Sequence, residues 1–377
     1  MKSRSKFLAL LLAFTLVTGV ASAAVKAGSS CTKLGATSTS AGKKYTCIKS
    51  GKKLVWDKGV TVLAPKASIP VGPTSLSDLE ANYAGVPYWA WKKSADVVTS
   101  SKPKNNKLTI LIGPNSRPGN EIPQIAISQV SRLFPNYKES NEFVLIYFNY
   151  KDASWAEAQF NKYVGTDAGY DTSGSVQKIC PSEVACASGL AVKNQVTGIS
   201  VSLITAGTAS LSDKRFLTGI IEAHEYFHTI QNAQFENFSN NTSMIPRWLH
   251  EGSASFVEDA AINYDSFDKY KIQKTSNIQG LLYRKEFTQQ KLITFLDAPS
   301  LGKDWSSWDS YDPSRVYDIG MLVTEIMVSV KGPESIMEQY KLVASGMSYQ
   351  QAFEKVFGVT WSEGVKIIAK VLAKQTS

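Results

Sequence analysis

The hydrophobic pattern of this chain changes once, near residue 206, and that change limits the folds it can adopt. Before this point, apolar runs rich in β-branched residues predict strands at 107–112, 142–150 and 198–206. Segments 122–133 and 154–163 between them have helical spacing. After residue 212, apolar residues recur with helical spacing. We therefore predict an α+β fold, with a mixed α/β N-terminal part and a mainly helical C-terminal half.

The helical half divides into eight predicted helices. Ser212 and Asp213 are candidate N-caps of the first, which runs to about Ala233, and Pro246 begins the second, which runs to about Ala261. The other six are predicted at 267–280, 287–297, 314–330, 333–345, 348–356 and 361–374.

The N-terminus carries the features of an export signal. A basic segment with Lys2, Arg4 and Lys6 precedes an apolar stretch, and Ala21-Ser22-Ala23 offers small residues for cleavage. We expect residues 1–23 to be a signal peptide and the protein to be secreted; an uncleaved membrane anchor is the alternative. No later apolar run approaches the ~18–20 residues that span a bilayer, so an integral membrane protein is not expected.

Four cysteines are consistent with an oxidising compartment. Cys31, Cys47, Cys180 and Cys186 allow three pairings, and proximity in the sequence favours Cys31–Cys47 and Cys180–Cys186. A cysteine metal site is the weaker alternative, because neither pair has the C-x₂-C spacing of a zinc knuckle.

The net charge of +9 is concentrated near the N-terminus. Residues 24–66 contain nine lysines and one acid, Asp57, whereas residues 67–377 are slightly acidic. We predict a small basic Cys-closed β module at 24–58, a linker at 59–80 and one large domain at 81–377. Residues 24–66 are expected either to contact an anionic cell-wall or membrane surface or to be a solvated basic spacer. Nucleic acid is not an expected partner, because residues 67–377 are slightly acidic and contain no readout motif.

All three histidines lie between residues 224 and 250, and two of them form an H-E-x-x-H motif at 224–228. On a helix, His224 and His228 lie on one face, one turn apart, where both imidazoles can bind one Zn²⁺. Glu225 lies about 100° further around the helix, where its carboxylate can act on a water molecule. The alternative is that both histidines are ordinary helix residues.

A second motif follows at 246–259, which reads PRWLHEGSASFVED and contains W-x-x-E-G-x-A from Trp248 to Ala254. With H-E-x-x-H, this resembles a gluzincin metallopeptidase, the clan that includes thermolysin and the zinc aminopeptidases, over about residues 200–377. The resemblance implies that Glu251 is the third zinc ligand, beside His224 and His228, and that Glu225 is the general base. Glu251 follows His228 by 23 positions, a few more than is common in the clan, so the loop at 237–243 is expected to be an insertion.

Four other polar residues lie near the motifs. His250 would point about 100° away from Glu251 and is expected to be structural or at the surface. Glu258, two turns after Glu251, is expected either to orient a ligand histidine or to be solvated. Asp259 and Glu222 are expected to face solvent.

Peptide hydrolysis also requires a donor to the developing oxyanion. No histidine follows residue 250, so a tyrosine or an arginine must act. Tyr317-x-x-Gly320 resembles the Y-x-x-G segment of aminopeptidase-like gluzincins, in which the tyrosine faces the metal. The resemblance implies that Tyr317 is catalytic; a core tyrosine is the alternative interpretation, and Arg315 and Tyr311 are alternates for the role.

The functional hypothesis is a secreted zinc peptidase that hydrolyses peptide bonds in a peptide or protein through a metal-activated water. An endopeptidase is favoured, because the G-x-M-E-N segment of the aminopeptidases is missing and the strand at 198–206 is expected to be a sheet edge that pairs with an extended substrate. The alternatives are a cell-surface binding protein with a structural or degenerate zincin domain, and zinc hydrolysis of a non-peptide bond.

Overall fold

The computed structural model describes residues 25–62, 69–169, 171–235, 244–279, 281, 287–297 and 315–376. The predicted signal peptide, the predicted loop insertion and Tyr311 lie outside these ranges. The chain divides into two units, with the boundary between Ser68 and Ile69, and each unit is described separately.

The first unit is a small antiparallel sheet closed by a disulfide. The strand order is β1-β2-β3, and β4 also pairs with β2. Cys31 is bonded to Cys47 on β2, the pairing that proximity favours. Ala41 and Gly42 connect β1 to β2 with φ values of 49° and 71°, the left-handed conformation of a tight hairpin turn. The strands are β1 (Thr37–Ser40), β2 (Lys43–Ser50), β3 (Lys53–Trp56) and β4 (Val60–Thr61).

The second unit contains a mixed four-stranded sheet in the order β5-β6-β8-β7. The strands β5, β6 and β8 are parallel, and β7 is antiparallel to β8. The strands are β5 (Lys107–Ile112), β6 (Glu142–Phe148), β7 (Gly189–Lys193) and β8 (Ser200–Thr205).

The prediction that the strand at 198–206 is a sheet edge is wrong. This strand is β8, which pairs with β6 on one side and β7 on the other, so every one of its residues is buried. The edge is β7, which the periodicity did not reveal. It is short, begins with a glycine and has only one fully buried residue, so its sequence gives little strand signal.

Thirteen α-helices occur in the described parts of the chain, most of them after the sheet, and this mixed α/β structure is compatible with the predicted α+β class. Seven of the eight predicted C-terminal helices begin and end within two residues of the observed bounds. The helices are α1 (Val86–Ser100), α2 (Pro123–Leu133), α3 (Ala153–Tyr163), α4 (Ser175–Ile179), α5 (Thr208–Leu211), α6 (Ile220–Ala233), α7 (Arg247–Ile262), α8 (Phe267–Ile278), α9 (Gln289–Asp297), α10 (Arg315–Lys331), α11 (Glu334–Ala344), α12 (Tyr349–Phe357) and α13 (Trp361–Thr376).

The helix that carries H-E-x-x-H begins later than predicted. Asp213 caps a short 3₁₀ turn instead, where its carboxylate accepts the N–H of Arg215 at 2.9 Å. Gly219 then adopts a left-handed φ of 84°, which interrupts the helical path, and α6 begins at Ile220.

Both faces of the second sheet are covered, which explains why β6 is hydrophobic and buried from Phe143 onward. Phe143, Leu145 and Tyr147 face the core that includes α1, α2, α6, α7 and α10. The alternating residues Val144 and Ile146 face a smaller core built with α3. Within the described residues, no helix has the length and apolar character that a membrane span requires.

Residues 59–80, predicted as a linker, contribute to both units. Val60 and Thr61 pair with β2. Leu76 and Leu79 are buried in the core of the second unit, and Glu80 forms ion pairs with Lys370 and Lys374 of α13 at 2.6 and 2.7 Å.

Helices α7 and α10 approach each other at two glycines. A Cβ placed on Gly252 would lie 2.1 Å from the carbonyl carbon of Gly320, and one placed on Gly320 would lie 2.1 Å from the carbonyl oxygen of Trp248. Neither position can carry a side chain without separating the helices. The glycine that follows Glu251 therefore sets how closely α10 approaches Glu251, the predicted third ligand.

We expect Gly252→Ala to lower the free energy of unfolding by about 1–3 kcal/mol, because the added methyl group meets backbone atoms that cannot rotate away. Urea denaturation followed by circular dichroism measures the change. Gly207→Ala is the control, because a Cβ there has its nearest contact at 3.3 Å. Equal stability of wild type and Gly252→Ala would show that the two helices are not in close contact.

Candidate metal centre

Helix α6 is buried along its whole length, so its polar side chains need partners inside the protein. The hydroxyl of Tyr226 donates to Glu139 at 2.8 Å, and the hydroxyl of Tyr147 on β6 donates to Glu222 at 2.7 Å. The expectation that Glu222 faces solvent is therefore wrong. Its side chain points to the sheet, because α6 is enclosed by β7, β8, α2 and α7 rather than lying on the surface.

The three predicted ligands converge. Ligand atoms of His224, His228 and Glu251 all lie within 4.8 Å of one another. The Nε2 atoms of His224 and His228 lie 3.7 and 3.4 Å from the same carboxylate oxygen of Glu251. The two imidazoles have ring centroids 4.7 Å apart and an interplanar angle of 80°. Helix α7 thus supplies the third group to the pair on α6.

The Nδ1 atom of each histidine faces an acceptor oxygen. His224 Nδ1 lies 2.6 Å from a carboxylate oxygen of Glu258, and His228 Nδ1 lies 2.6 Å from the amide oxygen of Gln231. These contacts favour the tautomer with the proton on Nδ1 and a lone pair on Nε2. Of the two roles expected for Glu258, the structure places it in the orienting one.

This arrangement fits a bound cation. Two Nε2 lone pairs and a carboxylate oxygen point at one another, and such a group needs a positive charge between its members. A tetrahedral Zn²⁺ with bonds of about 2.0–2.2 Å would hold its donor atoms about 3.3–3.5 Å apart, close to the separations from Glu251. Two imidazoles and one carboxylate are a donor set that zinc accepts.

The electrostatics of the three groups reflect the same crowding. Burial alone would lower the pKa of His224, but the carboxylates of Glu258, Glu251 and Glu225 raise it to about 10. Burial alone would raise the pKa of Glu251, but the adjacent imidazoles of His224 and His228 hold it well below the usual range.

The carboxylate of Glu225 faces the cleft beside these groups, opposite the edge strand. A Cβ on Gly189, the first residue of β7, would lie 2.4 Å from Glu225 Oε1 and 2.8 Å from its carboxyl carbon. Burial raises the pKa of Glu225, while His224 and His228 oppose that increase. No donor to this carboxylate is found among the described side chains. Its oxygens therefore remain available for a water molecule or a substrate.

Tyr317 lies at the mouth of the same site. Its ring centroid is 6.0 Å from that of His224, and 37% of its surface is exposed, so it is not a core tyrosine. Burial of the phenol and the negative charge of Glu251 raise its pKa, whereas the nearby Arg247 lowers it. Of the alternates, Arg315 is buried in an ion pair with Asp318, and Tyr311 lies outside the described residues.

His250 is not part of the ligand cluster. Its ring stacks on His228 with centroids 4.4 Å apart, and its Nδ1 lies 3.3 Å from the hydroxyl of Tyr340. Burial and the neighbouring His228 lower its pKa to about 3. His250 therefore packs beside a ligand.

Asp259 was expected to face solvent, and this is wrong. It is fully buried beneath α8, where the amide of Asn277 donates to both of its oxygens at 3.1 and 3.0 Å. Burial and the adjacent Glu258 raise its pKa well above the usual range. Nearby, Lys274 and the hydroxyl of Tyr270 bind the buried carboxylate of Glu325 on α10. These contacts hold α8 against α7 and α10.

The site opens into a cleft of about 780 Å³. One wall is the start of β7, and α8 and α10 contribute to the others. Arg215 lies on the rim, where its Nε and Nη2 donate to Asp213 at 3.0 and 2.7 Å. The cleft is therefore an open groove beside the ligand cluster rather than a closed cavity.

Sequence reasoning missed two residues of the site. Gln231 accepts from His228, and its amide donates to the carbonyl oxygen of His250 and to Ser253 at 3.0 and 2.9 Å, which joins α6 to α7. Its position three residues after His228, on the same face of the helix, was the only available signal. Nothing in the sequence indicated Gly189, because its contact with Glu225 depends on how β7 packs against α6.

Comparisons with protein-family models, with curated proteins and with solved structures found no match to this chain.

We expect the protein to bind one Zn²⁺. We expect His228→Ala and Glu251→Ala each to weaken the zinc affinity by more than about tenfold, because each removes a ligand. Isothermal titration of the metal-depleted protein measures the affinity and the stoichiometry. His250→Gln is the matched control, a histidine in ring contact with His228 that is not a ligand. Loss of affinity in His250→Gln equal to that in His228→Ala would contradict the assignment.

Proposed function

We propose that this protein is a secreted zinc-dependent peptidase, of gluzincin type, that hydrolyses internal peptide bonds. The observation that carries the proposal is the convergence of His224, His228 and Glu251 beside the free carboxylate of Glu225, at the base of an open cleft. A site that only bound a structural metal would need no such carboxylate. The two disulfides are consistent with an extracellular location.

Each role follows from the position of a side chain. A zinc ion held by the three ligands would lower the pKa of a water molecule and polarise the substrate carbonyl. Glu225 accepts a proton from the attacking water and later returns it to the leaving amine, since both steps need a carboxylate beside the ligands without another partner. Tyr317 donates a hydrogen bond to the developing oxyanion from the mouth of the cleft.

Glu258 and Gln231 act through the ligands. Each accepts a hydrogen bond from the Nδ1 of one histidine and so fixes the ring orientation that points Nε2 toward Glu251. Gln231 also joins α6 to α7, which keeps the histidines and the glutamate in register.

The edge strand supports an extended substrate. Strand β7 pairs with β8 on one side, and no described strand pairs with its other side. Because Ser188, Gly189 and Leu190 line the cleft, a peptide that added to this edge would pass Glu225 and the ligand cluster. Neither end of such a peptide needs to be free, which favours an endopeptidase.

The competing proposal is a cell-surface binding protein with a structural or degenerate metal site. It draws support from the separate basic unit before residue 69. The presence of Glu225, without a described donor and exposed to the cleft, favours the enzyme.

We expect Glu225→Gln to retain one bound zinc and to lose nearly all peptide cleavage, because the amide cannot accept the proton. Zinc analysis and mass spectrometry of a mixed peptide library, digested with each protein, measure both properties. Glu354→Gln, an exposed glutamate on α12, is the control and should behave as wild type. Wild type with stoichiometric zinc and no cleavage would favour the binding-protein alternative.

We expect Gly189→Ala to reduce kcat by about 10²-fold with little loss of zinc, because the new methyl group must displace the carboxylate of Glu225. Steady-state kinetics on the best peptide from the library, together with zinc analysis, separates the two effects. Gly207→Ala again serves as the control. Full activity of Gly189→Ala would show that β7 does not press against Glu225 in solution.

A further inference from the structure

The sheet of the first unit has one covered face and one open face. Tyr45 and Cys47 of β2 are buried on the covered face, where Cys31 forms the disulfide and Gly59 lies against the ring of Tyr45. The residues of β2 that alternate with Tyr45 and Cys47 point to the other face. The residues of β1, β3 and β4 that lie directly opposite these alternating residues share that face. We call this the open face; it consists of Thr37, Thr39, Lys44, Thr46, Ile48, Ser50, Lys53, Val55 and Val60.

Positive charge on this unit is not compensated. Its eight described lysines are all exposed, and none forms an ion pair with a described carboxylate. The only acid, Asp57, uses one carboxylate oxygen to accept the backbone N–H groups of Thr46 and Gly59 at 3.0 and 2.9 Å. The charge of Asp57 is therefore tied to the backbone turn, and no lysine pairs with it. The unit presents a field of one sign to any partner.

The open face also exposes aliphatic side chains between its lysines. Val60 is 72% exposed and lies opposite Lys44, and Ile48 is 42% exposed and lies opposite Val55. Lys53 is the first residue of β3 and lies opposite Ser50. Apolar and cationic side chains thus share one surface, and no described residue of this unit covers them.

We propose that the open face binds the surface of an anionic phospholipid bilayer. Lys44 and Lys53 would contact lipid phosphates, and Ile48 and Val60 would enter the boundary between headgroups and acyl chains. A soluble polyanion would use the lysines but would gain nothing from the two aliphatic side chains. This combination is the reason to favour a bilayer over a soluble polymer. The proposal does not depend on the metal centre.

Vesicle co-sedimentation tests the proposal with the protein recovered from the medium of a secreting host. The probes are vesicles of phosphatidylcholine with phosphatidylglycerol, vesicles of phosphatidylcholine alone, and soluble polyphosphate. Of the two kinds of vesicle, we expect the protein to bind only the anionic one, with binding weakened by salt, and we expect weaker binding to polyphosphate through the lysines alone. Lys44→Glu with Lys53→Glu should reduce vesicle affinity by at least about tenfold.

The aliphatic variant separates a bilayer from a soluble polyanion. Ile48→Ser with Val60→Ser should weaken binding to anionic vesicles and leave binding to polyphosphate unchanged. Lys102→Glu with Lys355→Glu, two exposed lysines of the second unit, is the matched control for charge and should bind as wild type. Titration of free thiols verifies that each variant keeps Cys31 and Cys47 bonded.

Three results would overturn the proposal. The first is no binding to anionic vesicles at low salt. The second is an equal loss of affinity for anionic vesicles in the Lys102/Lys355 control and in the Lys44/Lys53 variant, which would show only a general effect of net charge. The third is unchanged vesicle binding in the Ile48/Val60 variant, which would identify a site for a soluble polyanion instead.

Discussion

Polar side chains on a helix buried along its whole length need partners inside the protein, and this constraint on α6 organises the candidate metal centre. On the side of the sheet, Tyr226 donates to Glu139, and one carboxylate oxygen of Glu222 accepts from Tyr147. On the side of α7, His224 and His228 have partners for Nδ1 in Glu258 and Gln231. There the Nε2 atoms of both histidines and a carboxylate oxygen of Glu251 are directed at a single point. A buried arrangement of this kind is stable only with a cation or protons at that point.

Glycines control the distances around that point. Gly252 and Gly320 let α10 contact α7, which brings Tyr317 to the site that contains Glu251. Gly189 lets the edge strand contact Glu225. In each case a methyl group would occupy space that a backbone or a carboxylate now fills. The geometry of the cleft beside these groups therefore depends on residues that carry no reactive side chain.

The features that the sequence predicts well are local. The spacing of H-E-x-x-H follows from helix geometry. Strong apolar periodicity predicts the helices from α7 onward, and each predicted end lies within two residues of the observed end. The pairing of cysteines close in sequence was also predicted. The α+β organisation followed from the change of periodicity.

The features that the sequence did not predict depend on packing between elements. Asp259 and Glu222 are charged residues on helices, and only the enclosure of α6 and α7 by other elements buries them. Strand β7 is short and half-buried, so the sheet edge was assigned to β8, which is internal. Helix α6 begins at Ile220 rather than near Asp213, because Gly219 adopts a left-handed conformation that composition alone does not reveal.

The proposed function depends on one zinc ion held by His224, His228 and Glu251. Anomalous diffraction on either side of the zinc absorption edge, from crystals of the zinc-loaded protein, locates that ion. We expect one strong difference peak, within about 2.0–2.2 Å of Nε2 of both histidines and of a carboxylate oxygen of Glu251. A peak elsewhere, or no peak at this position, would rule out the assignment of these three ligands.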